Sequence, residues 1–120
     1  MLRTGVDLIE ISRIEGALER HGERFLSRVY TAQELAEARA LPHSLAARFA
    51  AKEAAAKALG CGIGQVAWRE IEIIRTAERR PEIILYGAAK ALAQELGLRE
   101  WAVSLSHTHD LAIATVVATD

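Results

Sequence analysis

The pattern of the chain predicts an α+β fold, with a mainly antiparallel sheet packed against a long central helix. Three observations lead there. An apolar strand opens the chain and a run of helical segments follows it; two strands then flank a polar turn before Pro81; and the chain closes on two apolar strands joined by a four-residue polar turn. At 120 residues, a single domain over 1–120 is expected, burying about two-thirds of the surface its unfolded chain would expose.

Taken in order, residues 2–11 read as the first strand, with Val6 and Leu8 turned to the core and Ile9 as a third candidate. Ser12 suits the cap of a helix running to Arg20, and His21-Gly22 ends it. A short helical piece covers 23–29. Thr31 and Glu34 have the spacing of a capping box, which opens a helix to about Ala40. Pro42 interrupts, and the long helix spans Ser44 to Leu59. Residues 66–75 and 81–86 read as strands around a polar turn, 87–96 as a helix, and 101–106 with 111–118 as the closing hairpin.

Hydrophobic residues make up 51% of the chain but aromatics only 5%, so the core is expected to be aliphatic and alanine-rich. A formal charge of −1 gives no basic footprint for nucleic acid. No membrane-length apolar run or signal peptide is visible, and one cysteine, Cys61, cannot form an internal disulfide. A reducing cytoplasm is the expected setting. Arg3, Arg13, Arg20, Arg24 and Arg28 bias the first quarter of the chain towards positive charge, which suits either an acidic protein partner or a solvated face.

The richest chemistry lies in residues 48–60, a run of strong helix formers closed by a glycine. Glu53 and Lys57 are one turn apart and share a face, as an ion pair or as a cation and phosphate site. Arg48, Lys52 and Lys57 add phosphate-binding capacity on the same helix, with Arg48 and Lys52 on a second stripe. Asp7 is an acid inside an otherwise apolar strand, and a buried carboxylate is costly unless it is paired or bound to metal. If the strand lies beside the long helix, Asp7 and Glu53 converge on one cation; Mg²⁺ suits two carboxylates with open positions.

Two other motifs are read as structural. Gly60, Gly62 and Gly64 follow a helix instead of opening one, so they end it and do not cradle a nucleotide. His107 and His109 have a zinc-like spacing but no supporting third ligand, and a polar hairpin turn accounts for them.

Together these segments resemble the holo-[acyl-carrier-protein] synthases, the small bacterial type of 4′-phosphopantetheinyl transferase. The residues that carry the resemblance are Gly5-Val6-Asp7-Leu8-Ile9-Glu10-Ile11-Ser12-Arg13-Ile14, the run Arg48 to Gly60 with Lys52-Glu53-Ala54 and Lys57, and Ser104-Leu105-Ser106-His107 with the strand after it. The resemblance spans essentially the whole chain. It implies transfer of 4′-phosphopantetheine from coenzyme A to a serine of an apo acyl carrier protein, as in fatty acid biosynthesis, with release of adenosine 3′,5′-bisphosphate. Mg²⁺ on Asp7 and Glu53 would hold the coenzyme diphosphate, and Lys57 would stabilise or protonate the leaving phosphate. The acceptor of the serine proton is open between Glu53 and a water on the cation.

By the same resemblance Arg48, Ser106 and His107 would contact the coenzyme, and Arg13 would grip the acidic carrier. Local charge extends that surface to Arg20 and Arg24. A homotrimer with active sites between subunits is also implied. Arg79-Arg80-Pro81 stands where the family often has Gly-Lys-Pro, which leaves that turn's geometry open.

Overall fold

A computed structural model describes residues 1–120. The strand β1 (Leu2–Glu10) leads into α1 (Ile11–His21), α2 (Glu23–Val29), α3 (Ala32–Ala38) and the long α4 (Pro42–Ala58). The hairpin β2 (Ile71–Arg75) and β3 (Pro81–Leu85) precedes α5 (Gly87–Leu96), and β4 (Glu100–His107) with β5 (Leu111–Thr119) closes the chain. One antiparallel sheet has the order β1-β5-β4, and β2-β3 forms a second, two-stranded one. No helix is long and apolar enough to cross a membrane.

The helix α4 is the centre of the core. Ala46, Ala50, Ala51, Ala54, Ala55, Ala56 and Ala58 are all buried, on every side of the helix, because it packs against both sheets and α1. Small side chains let the strands approach closely, and larger groups such as Leu45, Ile71, Ile73 and Val116 fill the periphery.

Several local expectations change. On β1 the face turned to α4 carries Arg3, Gly5, Asp7 and Ile9, while Val6 and Leu8 are 51% and 58% exposed. Ile9 alone of the three expected residues is buried, because strand side chains alternate and Asp7 takes the helix side. Ser12 is not a cap. It lies inside the first turn of α1, whose leading amide, that of Ile11, instead donates to the Asp110 carbonyl at 2.8 Å.

Pro42 starts α4 where an interruption was expected; at the first helical position its missing N–H costs nothing. The capping box of Thr31 and Glu34 is present, but its helix stops at Ala38, with Arg39 and Ala40 left-handed. The expected strand from Val66 begins only at Ile71, after a 3₁₀ turn at Trp68–Glu70. The Lys52 ammonium gathers the Trp68 and Ile71 carbonyls there at 3.0 and 2.6 Å, tying the turn to α4.

Candidate functional site

Asp7, Glu53 and Lys57 meet where β1 crosses α4. Lys57 Nζ donates to Asp7 Oδ1 at 3.2 Å and to the Val6 carbonyl at 2.9 Å, while about half of its side chain remains open to solvent. It makes no ion pair with Glu53, its neighbour one turn back. Glu53 is half-buried and has no hydrogen-bond partner among the side-chain contacts. Burial, then the Asp7 charge, raises its pKa above the ordinary value, and Lys57 only partly offsets them.

That imbalance is a test of fit for a cation. The Asp7 charge is felt at Glu53, the one neighbouring ammonium is bonded to Asp7 and solvent-exposed, and Glu53 has vacant acceptor atoms. No third His, Cys, Asp or Glu joins them. A two-carboxylate donor set fits Mg²⁺, which keeps waters and takes substrate phosphates as its remaining ligands. It does not fit zinc.

Lys52 does not belong to this site. It is fully buried, with Nζ 2.7 Å from Glu34 Oε1 and both backbone carbonyls noted above completing its three donors. Glu34 in turn accepts from the Ile73 amide at 2.8 Å. Burial pulls the Lys52 pKa down, against the attraction of Glu34. The expected phosphate contact is therefore a structural cross-link between α3, α4 and β2.

Arg48 is also buried, at 2% exposure. Its guanidinium donates to Ser44 Oγ at 2.6 Å, Glu37 Oε1 at 2.8 Å and the Ile73 carbonyl at 3.3 Å. Burial opposes the charge of Glu37, yet bonds from Gln33, Arg48 and the Arg75 amide outweigh it and hold that pKa below its ordinary value. Arg48 still borders a cavity of about 250 Å³, together with His43, Arg75 and His107. His43 is a residue the sequence did not single out. Its ring stacks on His107 with centroids 4.6 Å apart and planes 25° apart. Proximity of α4's first turn to the end of β4 is not encoded in any local spacing.

Ser106 is not brought to this cavity. It pairs with Ile113, which pairs with Leu8, so it lies on the outer face of the sheet. His109 is fully exposed beside Asp110, in keeping with a polar turn. Gly60, with a positive φ, ends α4. Cys61 is partly buried, which pushes its thiol pKa up.

Arg13 and Arg20 on α1 rim a groove of about 360 Å³ floored by Ile14, Phe25 and Phe49. Arg24 lines an adjoining recess with His21 and Arg28. All three arginines are exposed.

Residues 3–116 match the 4′-phosphopantetheinyl transferase superfamily, and the chain belongs to that superfamily. Within it, the relatives are holo-[acyl-carrier-protein] synthases. That of Herpetosiphon aurantiacus is 56% identical, over 98% of both chains. That of Moorella thermoacetica is 52% identical, over 98% of this chain and 93% of its own. Among solved structures, the Helicobacter pylori holo-[acyl-carrier-protein] synthase in complex with coenzyme A superposes with a TM-score of 0.89 at 32% identity, covering 97% of this chain and 99% of that one. The Neisseria meningitidis enzyme gives 0.89 at 36% identity, covering 98% of each.

Proposed function

We propose that this protein transfers 4′-phosphopantetheine from coenzyme A to a serine of an apo acyl carrier protein, using Asp7, Glu53 and Lys57. The observation that carries the reading is the convergence of those three side chains at the β1–α4 crossing, in a chain of this superfamily. A Mg²⁺ ion held by Asp7 and Glu53 would neutralise the diphosphate of coenzyme A.

In the reaction the serine oxygen forms a bond to the β-phosphorus, and the bond from that phosphorus to the leaving adenosine 3′,5′-bisphosphate breaks. Lys57 Nζ, a compact point charge, offsets the charge that develops on the leaving oxygen and can supply its proton. The serine proton must also be taken up. It would pass to Glu53 or to a water beside it, and a Glu53 that also held the cation would be the poorer base of the two.

Arg48 and His107 share a cavity and would bind anionic groups of the coenzyme, with Arg48 held rigid by its three bonds. The groove between Arg13 and Arg20 would receive the carrier, its apolar floor taking side chains and its rim taking carboxylates, with Arg24 extending the charge. The outer sheet face, with Leu2, Val6, Leu8 and Val117 exposed, supports association of copies as a homotrimer, and Ser106 lies on that face.

Incubation with Mg²⁺, coenzyme A and a panel of apo carriers, followed by mass spectrometry, tests the activity. A carrier should gain the mass of phosphopantetheine, and omission of Mg²⁺ should stop the gain. Failure with every carrier would overturn the reading.

A further inference from the structure

The backbones of β1 and α4 touch at Gly5, and we propose that this contact sets the separation of Asp7 and Glu53, making Gly5 a positioning residue of the site. The inference rests on the reading of those carboxylates as a cation-binding pair.

Gly5 has no conformational need to be glycine, since its φ is not positive, unlike those of Gly22, Gly60, Gly64, Gly87 and Gly97. What it lacks is room. A Cβ built there would fall on the carbonyl oxygen of Ala54, with that carbonyl's carbon at 2.8 Å and the Ala58 amide nitrogen at 3.1 Å. All are backbone atoms of a long, buried helix. No rotamer change relieves the clash; strand and helix would have to part.

The contact is also local to the chemistry. Asp7 is two residues along β1 from Gly5, on the same face. Ala54 directly follows Glu53, and the Ala58 amide shares its peptide unit with Lys57. The bond from Lys57 Nζ to the Val6 carbonyl ties a side chain of α4 to the β1 backbone one residue beyond Gly5. The three site groups therefore hang from two segments whose spacing is set where a side chain is missing. By contrast, a Cβ at Gly62, Gly64 or Gly97 would meet nothing within 4 Å.

Gly5→Ala tests this, with Mn²⁺ as a paramagnetic probe in the presence of coenzyme A. Displacing reacting groups by about 1 Å is enough to lower rate roughly 100-fold. The expected result is Mn²⁺ affinity weakened at least about tenfold, with kcat for carrier modification falling by about that 100-fold. The comparison is Leu98→Ala, a buried substitution between α5 and β4, read at a temperature where both variants are folded; it should bind Mn²⁺ like the parent. If Gly5→Ala does not fold, Ala58→Ser, a smaller insertion at the buried helix residue whose amide lies against Gly5, is read instead.

Normal Mn²⁺ binding by the parent and by the Gly5 variant (or its Ala58 substitute) would overturn the positioning role alone. Failure of the parent to bind Mn²⁺ would overturn the cation reading, and this inference with it.

Discussion

Lys57 bonds to Asp7 across the sheet–helix boundary, at 3.2 Å, and not to Glu53 on its own helix. The distinction matters because an i,i+4 Glu–Lys pair on a solvated helix contributes only about 0.2–0.5 kcal/mol and carries no chemistry. A lysine drawn to a strand carboxylate leaves Glu53 unpaired beside a second negative charge. That is an arrangement for binding something positive.

Replacing Lys57 by alanine should lower kcat for carrier modification by about 100-fold, the usual scale for removing one group that stabilises developing charge. Mn²⁺ binding in the presence of coenzyme A should survive, because both carboxylates remain. Rates measured by mass spectrometry at saturating substrate check this, and an unchanged kcat would remove Lys57 from the mechanism.

Glu53→Gln should nearly abolish activity and yet make the metal-free protein more stable at neutral pH. The folded pKa of Glu53 is raised, so folding favours its protonated form. That contribution is present below the unfolded carboxylate pKa and is lost as pH rises through the folded value. Thermal melts in chelator should show the variant ahead of the parent at pH 7 and the two converging in acid, below the ordinary carboxylate range. An equal difference at all pH values would contradict the assignment.

Lys52→Met should cost about 3–5 kcal/mol in urea unfolding, because it strands the Glu34 carboxylate in the core. Coenzyme affinity of the folded fraction should not change, since Lys52 reaches no solvent. A specific loss of coenzyme binding would restore it as a phosphate contact.

Arg79 has φ 63, in a turn where the Thr76 hydroxyl accepts from the Glu78 and Arg80 amides and the Thr76 amide donates to the Arg80 carbonyl. The left-handed conformation costs a residue with a side chain on the order of 1 kcal/mol, so Arg79→Gly should raise stability by up to about that amount. A higher urea midpoint would show it.

Arg13→Glu should raise KM for the carrier about tenfold or more at low salt, with kcat little altered, and the difference should shrink as salt rises. A fall in kcat at constant KM would place Arg13 in the chemistry and not in docking.

Much of this was legible in the sequence. The order of strands and helices follows from apolar periodicity, and the Thr31–Glu34 capping box from a three-residue spacing, because both are local. Asp7, Glu53 and Lys57 were identifiable as a set only because an acid in an apolar strand is costly and because the segments resemble one family. The face of β1 was misjudged. Counting Val6 and Leu8 as core ignores that Asp7, on the opposite parity, has to reach the helix, and alternation alone does not say which face of a strand meets it.

By itself, the sequence determined the α+β class, the long alanine-rich helix and the residue types for phosphate and cation chemistry. Those follow from propensity, period and charge, which act over a few neighbours. Tertiary structure alone decided that Lys52 is a buried cross-link to Glu34, that His43 lies on His107, and that Lys57 turns to Asp7. Each depends on segments far apart in the chain, brought together by packing on α4. There, burial decides whether a charge is solvated, paired with a distant partner or left free to act.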